Sequence, residues 1–343
     1  MNRKLITIFT IVIVLLGIGT YVGWLYYQSI FGENIRENEN SIVYIYPGSI
    51  EDSIRTKIEP FLLNKKSFER AQKVLDFEFT NTKPGRYNFG GISTNRELIN
   101  TLRSGNVEPV NVIIYNENSL GELAGKLSKY LLMDSLELKT CIQQSDLLNE
   151  NGFAGDSLFT LFIPNTYQMY WMTNCEALSK RLIKEHNTFW ESNDRLQKAK
   201  RLGMTPHEIY TLATIVDRET LAAREKPIVA KLYLNRLEKG MLLQADPTVV
   251  FANQLQGARR VLYKHLEIDS PYNTYKYPGL PPGPIGIASI SGIDAVLNHD
   301  EHSYLYMCSK PDNSGLHNFA TNIREHNINA AAYRRWLNQR GIR

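Results

Sequence analysis

A single stretch near the start of the chain, from Leu5 to Tyr27, constrains the fold more than any other feature of the sequence. It reads LITIFTIVIVLLGIGTYVGWLYY and contains no charged residue. As a helix it would rise about 1.5 Å per residue and would span a hydrocarbon core of roughly 30 Å. The pattern therefore predicts a transmembrane helix, with residues 1–30 forming a cytoplasmic tip and a membrane anchor.

The charges on either side of this stretch predict its orientation. Arg3 and Lys4 precede it, whereas the segment after it is dominated by Glu33, Glu37 and Glu39. The positive-inside rule then places the N-terminus in the cytoplasm and the rest of a single-pass protein outside the cytoplasmic (inner) membrane. A cleaved signal peptide is the alternative. The apolar run, however, is longer than a usual h-region and ends in bulky aromatic residues without an A-x-A-like site.

The length, charge and cysteine content of the chain bound its architecture and its partners. With 343 residues, 43% of them hydrophobic, it is long enough for two soluble domains after the anchor. The net charge is only +4, and no run of Lys or Arg interleaves with aromatic residues, so nucleic acid is not expected as a partner. Cys141, Cys175 and Cys308 lack the spacing of a zinc or redox site. We expect buried thiols, with at most one disulfide.

Turn and strand signals divide the remaining chain into two regions. The polar residues 32–41, GENIRENENS, are typical of a short solvated linker. The region 41–115 shows strand and helix patterns in the order β-α-α-β, and in the region after it Pro164 and Asn165 should interrupt any regular element. We therefore predict an α+β protein, with a small domain at 41–115 and a larger mixed α/β domain at 116–343.

The clearest helix signal is TPHEIYTLATIVDRETLAARE, which begins at Thr205. Thr205 suits the N-cap, Pro206 the first helical position, and Glu208 completes a capping box. Apolar residues recur every three or four positions as far as Ala223, and Glu219 fills the one gap in that series. Burial of a carboxyl group raises its pKa, so Glu219 would be able to donate a proton near neutral pH. A purely structural pairing with a buried arginine is the alternative.

The residues around Glu219 narrow the kind of chemistry. Asp217 lies two positions earlier, which on a helix is about 200° away, so we expect it not to share a cleft with Glu219. The downstream loops are dense in Asn, Gln, Tyr, Pro and Gly but lack a phosphate loop or a metal pattern. Such loops suit sugar recognition, in which hydroxyls are hydrogen-bonded and rings are stacked.

Four separated motifs resemble the YceG-like family of endolytic murein transglycosylases. They are IVDRET, NRLEKGMLLQADPTV, YNTY with GLPPGPI, and HNFATNIREHN, and they cover most of 210–327. The family's catalytic glutamate is the second carboxylate of a Glu-Lys-Glu-Thr signature, which falls on Glu219. This chain departs from the signature at Asp217 and Arg218, and both substitutions keep the charge.

The resemblance implies non-hydrolytic cleavage of the glycosidic bond between N-acetylmuramic acid and N-acetylglucosamine within nascent peptidoglycan strands. The product would carry a 1,6-anhydro ring on N-acetylmuramic acid, because the sugar's own C6 hydroxyl replaces water. Glu219 would act first as acid and then as base, and the reaction could terminate glycan chain elongation. No cofactor is implied, and the expected partners are membrane-bound peptidoglycan synthases.

Other residues within the motifs are candidates for substrate binding or for structural support. Asn235 and Arg236 are expected to hold their helix against Asp246 or Glu225. The side chains suited to contact hydroxyl, acetamido or ring-face groups, each of which could instead brace a loop, are Gln244, Asp246, Tyr272, Asn273 and Tyr275.

Histidines raise the alternative of a metal site. His299 and His302 have the spacing of one helical turn, and His317 comes later in the chain, but no carboxylate or cysteine pattern completes a known site, so no metal is expected. The end of the last motif either lines the cleft or locks the C-terminal helix. Its residues are His317, Phe319, Glu325, His326 and Asn327.

Three further interpretations remain open on the sequence alone. The small domain resembles a LysM-like module in its β-α-α-β order, and such modules grip N-acetylglucosamine chains. A non-catalytic, membrane-anchored scaffold that binds peptidoglycan is one rival function, because Asp217 replaces a glutamate. A metal-dependent or water-using glycan hydrolase is the other, and it would release a reducing-end sugar.

Overall fold

The computed structural model describes residues 3–36, 41–255 and 262–341. The chain divides into two compact units. The small unit contains the residues up to Val110 together with Gln168–Met172. The large unit contains Asn111–Tyr167 and the residues from Thr173 onward.

The small unit begins with an apolar helix and continues with strands and helices in the predicted order. Its helix α1 is, within the described ranges, the one helix long and apolar enough to cross a membrane. Strands β1 and β2 pair antiparallel, with Ile42 opposite Asn88 and Tyr44 opposite Arg86. The elements are α1 (Arg3–Phe31), β1 (Ile42–Ile45), α2 (Glu51–Ile58), α3 (Lys65–Val74), β2 (Gly85–Asn88) and α4 (Asn95–Ser104). Strand β3 (Pro109–Ile114) follows, and its residues from Asn111 onward belong to the large unit.

The segment directly after α1 is packed into the small unit, which differs from the expected solvated linker. Asn34 and Ile35 are only 2% and 7% exposed. The Asn34 amide donates to the Asn95 side chain at 2.8 Å, and the Asn95 amide donates to the Ser29 carbonyl of α1, also at 2.8 Å. The polar composition indicated a solvated linker. In the structure, however, the Asn34 side chain is hydrogen-bonded within the protein rather than exposed to water. Residues 37–40 of the predicted linker lie outside the described ranges.

The large unit is built mainly of helices, with short strands. Strand β4 begins at Asn165, so the expectation that Pro164 and Asn165 exclude a regular element is wrong. β3 and β4 form one two-stranded sheet, and β5 and β6 form an antiparallel one. The elements are α5 (Leu120–Leu127), α6 (Ser135–Gln144), α7 (Asp146–Glu150), β4 (Asn165–Tyr170), α8 (Cys175–Glu191), α9 (Arg195–Arg201), α10 (Pro206–Glu219), α11 (Lys226–Glu238), α12 (Asp246–Ala252), α13 (Ile290–Leu297), β5 (Tyr306–Ser309), β6 (His317–Ala320) and α14 (Ile323–Gln339).

The core of the large unit forms around α10, which packs against α11 and α13. Thr205 and Glu208 make the predicted capping box at its start, where the Thr205 hydroxyl accepts from the Glu208 N–H. Every residue from Ile209 to Val216 is buried, so the helix is covered on all sides rather than along one stripe. A helix enclosed in this way holds its last residue, Glu219, in a fixed position.

A disulfide joins Cys141 of α6 to Cys175 of α8, whose Cα atoms lie 5.6 Å apart. The expectation of buried thiols is therefore wrong for these two cysteines. The two helices pack against each other and bring together side chains that are distant in the sequence. Cys308, on β5, is half-buried and unpaired within the described chain.

Candidate active site

Glu219 is the last residue of α10, and the chain turns sharply after it. Thr220 is extended, with φ −143° and ψ 134°, and its hydroxyl accepts a hydrogen bond from the Ala222 N–H at 3.1 Å. The predicted apolar series is therefore wrong at Ala223, which lies beyond the helix and is exposed. The helix ends about one turn earlier than the periodicity suggested, because the Thr220 hydroxyl accepts the Ala222 N–H, which in a continued helix would bond to a backbone carbonyl.

Glu219 faces a cavity of about 620 Å³ in the large unit. Five segments line it, namely the residues just after β3, the end of α10, the start of α11, the start of α12 and the stretch that leads into α13. The walls mix apolar side chains such as Val250, Phe251 and Ile285 with polar and charged ones. A cavity of this size and composition suits a ligand that has both apolar faces and hydrogen-bonding groups.

The environment of Glu219 favours its protonated form. Burial raises its pKa from the usual 4.5 to about 7, which confirms the direction predicted from the sequence. Tyr233 donates a hydrogen bond to Glu219 Oε1 at 2.7 Å, which opposes the rise because it stabilises the carboxylate. The negative charge of Asp246 adds to the rise, and the positive charge of Arg236 opposes it. Near neutral pH the carboxyl group is thus able both to donate and to accept a proton.

Tyr233 was not predicted from the sequence as a functional residue. It lies in α11 and is buried against the core of the large unit. Its contact with Glu219 depends on how α10 and α11 pack, and no local motif records that packing. In the sequence alone, a tyrosine inside an apolar helical run is interpreted as an ordinary core residue.

Asp217 lines the same cavity as Glu219, so the expectation that the two point into different spaces is wrong. The cavity surrounds the end of α10 and therefore reaches more than one face of the helix. The carboxylate of Asp217 is nevertheless occupied by protein donors. It accepts from Lys226 Nζ at 2.6 Å, the Ser289 N–H at 2.6 Å and the Ser289 hydroxyl at 2.8 Å. These bonds give Asp217 the role of a brace between α10, α11 and the chain before α13.

Arg218 also lines the cavity, and its guanidinium group is tightly placed. It donates to Asn118 Oδ1 at 2.6 Å. It also lies so close to Gly286 that a Cβ on that residue would be 2.4 Å from Nη2. Gly286, which directly follows the GLPPGPI motif, leaves room for this position of the guanidinium group, and its backbone φ of +151° also favours glycine.

Asp246 is a further carboxylate on the cavity, at the first turn of α12. Tyr275 donates to Asp246 Oδ1 at 2.5 Å, which brings two of the predicted substrate-binding residues together. Gln244 lies two residues before Asp246, is exposed, and has a left-handed backbone with φ +49°. Gln244 does not belong to the described residues that line the cavity.

The two remaining candidates have different environments. Tyr272 donates to Asp156 Oδ1 at 2.8 Å and packs its ring 4.8 Å from that of Phe251. Asn273 is fully buried, and its amide donates to the carbonyls of Leu266 and Ile268. The Asn273 side chain therefore has the geometry of a loop brace.

Asn235 and Arg236 are structural residues, but their partners differ from those expected. Asn235 donates to the carbonyls of His302 and Tyr304 rather than to a carboxylate. Arg236 donates to the carbonyls of Leu242, Leu243 and Leu305. The carboxylate of Glu225 is instead bound by His317, at 3.0 Å from Nδ1, and by the Thr220 hydroxyl at 3.3 Å.

The histidines do not form a group in the described part of the chain, where no cluster of three or more His, Cys, Asp or Glu side chains could hold a metal ion. His299 and His302 lie after the end of α13, in a loop rather than on one helical turn. In the terminal motif, Glu325 accepts from the backbone N–H of Thr321 at the start of α14, and Phe319 stacks on Tyr304. Phe319 and Glu325 thus make structural contacts, and neither is among the described residues that line the cavity around Glu219.

The chain is similar to known proteins in both its sequence and its fold. The family model described as the YceG-like family matches residues 43–332. A Bacillus subtilis (strain 168) protein named endolytic murein transglycosylase is 39% identical over 155 residues, which is 45% of this chain and 42% of that protein. A protein of the same name from Streptococcus pneumoniae serotype 2 (strain D39) is 24% identical over 359 aligned positions, which cover 95% of this chain and 64% of the relative.

Similarity in structure covers a comparable part of the chain. The crystal structure of a YceG-like protein from Listeria monocytogenes superimposes with a TM-score of 0.56 and 25% sequence identity, over 84% of this chain and 98% of that one. The chain spans less than two thirds of the length of the two curated relatives. Since the family match extends from the small unit to the last helix, the chain belongs to the YceG-like family.

Proposed function

We propose that this protein is an endolytic lytic transglycosylase of peptidoglycan. The single observation that carries the proposal is Glu219, a carboxyl group at the end of a buried helix that faces a cavity and has a pKa of about 7. The names of the Bacillus and Streptococcus relatives supply the substrate, which is murein. The bond to be cleaved joins N-acetylmuramic acid to N-acetylglucosamine within a nascent strand.

Glu219 serves both halves of the reaction. In its protonated form it donates the proton to the glycosidic oxygen as the bond to C1 of N-acetylmuramic acid breaks. The resulting carboxylate then removes the proton of the C6 hydroxyl while that oxygen bonds to C1, which closes the 1,6-anhydro ring. No water is consumed, and the glutamate returns to its starting state. Tyr233 holds one carboxylate oxygen, so the other oxygen is left to face the substrate.

The polar residues around the cavity are proposed to bind the sugar. Asp246 and Tyr275 form a hydrogen-bonded pair suited to hydroxyl and acetamido groups. Gln244, two residues before Asp246, and Tyr272, three residues before Tyr275, are proposed to make further contacts with the strand. Asn273 contributes by holding the loop that carries Tyr272 and Tyr275. We propose no cofactor or metal for this chemistry.

Product analysis tests the activity and separates it from both rivals. Purified strands should yield anhydro-N-acetylmuramic acid ends, which are lighter by one water than the reducing ends that a hydrolase produces. Glu219→Gln should lower the rate by at least about 10²- to 10⁴-fold, the contribution of general acid-base catalysis. Glu238→Gln, the same change at an exposed position of α11, is the matched control. Near-normal release of anhydro ends by folded Glu219→Gln protein would overturn the assignment of Glu219.

Glu219→Gln should also change the stability of the folded protein, in a way that depends on pH. The folded state binds the Glu219 proton more tightly than the unfolded chain does, because burial raises the pKa from 4.5 to about 7. The carboxylate therefore lowers stability increasingly as pH rises between these values. The variant should unfold at the same temperature as the parent below pH 4.5, and at a higher temperature above pH 7.

The location proposed for the enzyme depends on α1, which acts as a single-pass anchor. Arg3 and Lys4 favour a cytoplasmic N-terminus, with both units outside the cytoplasmic membrane, where the strands are made. Protease added to intact spheroplasts should then degrade the region after Ser41, and protection of that region would contradict the orientation. Membrane-bound peptidoglycan synthases are the proposed partners, because they produce the strands that the enzyme would cut.

The small unit is proposed to be a LysM-like module that grips N-acetylglucosamine. The supporting observation is the order β1, α2, α3, β2 with an antiparallel pair of strands. Binding of chitin oligosaccharides that is lost when residues 41–115 are deleted would support this role.

A further inference from the structure

Arg218 carries a positive charge on the cavity that Glu219 faces, and no carboxylate in the described ranges forms an ion pair with it. Lys226 lines the same cavity, but its ammonium group is paired with Asp217 at 2.6 Å. Arg218 instead donates to the neutral side-chain oxygen of Asn118, also at 2.6 Å. Of the two cations among the described lining residues, Arg218 is therefore the one whose charge is left to pair with a charge on a ligand.

The Arg218 guanidinium group keeps most of its hydrogen-bonding capacity. Such a group has five N–H donors, arranged so that either of two edges can bind a carboxylate through two parallel bonds. The bond from Nη2 to Asn118 uses one donor on one edge, and among the described residues this group has no further acceptor. Nη2 also lies against Gly286, so the group is held in place before a ligand binds. A second edge, already oriented, remains for an acceptor such as a carboxylate.

The surroundings of Arg218 favour direct contact with an anion. The protein withdraws part of the side chain from water, which lowers the pKa of the guanidinium group, while the negative charges of Asp217 and Glu122 raise it. Both carboxylates have other partners, since Asp217 is bound by protein donors and Glu122 accepts from the Asn118 N–H at 2.8 Å. A cation in partly desolvated surroundings attracts an adjacent anion more strongly than it would in water. Because the two carboxylates offset any longer-range attraction, an anionic ligand would have to contact the guanidinium group itself.

The proposed substrate carries carboxylates on only one of its two kinds of sugar. N-acetylglucosamine is uncharged. N-acetylmuramic acid has a lactyl ether on C3, which ends in a carboxylate or, where a stem peptide is attached, continues into a peptide that bears carboxylates. C3 belongs to the same ring as C1, the atom at which the glycosidic bond breaks. Since Arg218 directly precedes Glu219 in α10 and lines the same cavity, a ring with its C1 at Glu219 can direct its C3 substituent to Arg218.

We propose that Arg218 binds a carboxylate carried by the C3 substituent of the N-acetylmuramic acid ring that Glu219 attacks. This inference rests on the proposed function for the identity of the substrate. Its consequence is a choice between the two glycosidic bonds that alternate along a strand, because only one of them has muramic acid on the C1 side. Arg218 is thus a specificity-determining residue, and the arginine that replaces the lysine of the family signature supplies a two-bond edge that lysine lacks.

Binding of glycan strands with and without carboxylates tests the proposal. All proteins are full-length and carry Glu219→Gln, so that the strands stay intact during the measurement. Three preparations of one strand length are compared. The first keeps its stem peptides, the second has lost them so that each lactyl group ends in a carboxylate, and the third has those lactyl carboxylates converted to amides. Arg218→Gln is compared with Arg201→Gln, the same change at an exposed position of α9.

The expected result is a preference for carboxylates that depends on Arg218. In the control, at least one of the two charged preparations should bind about tenfold or more tightly than the amide preparation, equivalent to about 1.4 kcal/mol. Arg218→Gln should reduce this ratio to about one, while its affinity for the amide preparation stays within about twofold of the control. A preference for peptide-free strands identifies the lactyl carboxylate as the ligand, and a preference for peptide-bearing strands alone identifies the stem peptide.

Two results would overturn the proposal. The first is the absence of a preference in the control, or a preference that Arg218→Gln leaves unchanged. The second is an equal loss of affinity for charged and amide preparations, which would mean that Arg218 only supports the shape of the cavity. Should Arg218→Gln unfold, Arg218→Lys decides in its place; it keeps the charge but not the two-bond edge, so the ratio should fall at least about threefold, and an unchanged ratio would overturn the proposal. Cleavage by the parent enzyme is measured separately, so the expected preference without cleavage would refute only the proposed function.

Discussion

Two substitutions around Glu219 should move the pH dependence of the reaction in opposite directions. Tyr233→Phe removes a hydrogen bond that stabilises the carboxylate, so the pKa of Glu219 should rise above 7. Asp246→Asn removes a negative charge that disfavours the carboxylate, so the pKa should fall below 7. Both changes preserve approximate size, and neither removes the carboxyl group itself.

The magnitudes depend on the two contacts. A hydrogen bond to a charged group contributes about 1.5–3 kcal/mol, and one pKa unit corresponds to about 1.4 kcal/mol. Because Glu219 keeps part of its surface open to the cavity, we take the lower end and expect Tyr233→Phe to raise the pKa by about one unit. Asp246 is exposed, so solvent screens its charge and Asp246→Asn should lower the pKa by less than about one unit.

The assay is kcat/KM measured against pH, which reports groups of the free enzyme. If the protonated form of Glu219 starts the reaction, kcat/KM falls as pH rises through about 7 in the parent enzyme. The midpoint of this fall should move up in Tyr233→Phe and down in Asp246→Asn. Midpoints that move in the same direction, or a rate that increases through this range, would refute the acid role and the hydrogen-bond argument together. The maximum of each profile can also change, because Asp246 lines the cavity and is a proposed substrate-binding residue.

Three further predictions concern the framework of the protein. Asp217→Asn removes the ion partner of the nearly buried Lys226 and should destabilise the large unit by about 3 kcal/mol, measured by denaturant unfolding; a change below about 0.5 kcal/mol would contradict the bracing role. Cys141→Ser opens the disulfide to Cys175, which closes a 34-residue separation, and should cost about 2–4 kcal/mol, whereas an unchanged melting temperature would show that the bond does not form. Asn95→Leu removes the hydrogen bonds that join Asn95 to Asn34 and to the Ser29 carbonyl, and should speed hydrogen exchange at the end of α1; unaltered exchange there would refute the described junction.

Local features of the site could be read from the sequence. The capping box at Thr205 fixed the start of α10, and the apolar series identified Glu219 as a carboxyl group in a protected position. The raised pKa was predicted from burial alone. These predictions succeeded because each depends on residues within a few turns of one another.

Features that depend on packing between distant segments could not be read in the same way. The contact of Tyr233 with Glu219 and the pairing of Cys141 with Cys175 each join two helices. Helical geometry alone predicted that Asp217 and Glu219 point into different spaces, but the cavity is formed by five segments and encloses the helix end. Periodicity describes one element at a time and carries no information about the shape of a space between several.

The junction between α1 and the small unit has a mechanical consequence. A membrane-spanning helix tilts when the thickness of the bilayer differs from its apolar length. The last turn of α1 is joined to α4 by Asn95 and to α3 by Arg70, which donates to the Ser29 hydroxyl at 2.9 Å. These hydrogen bonds make the junction rigid, so a change in the tilt of α1 would be passed on to the small unit. If α1 spans a bilayer as proposed, a change in bilayer thickness that tilts α1 would therefore tilt the small unit with it.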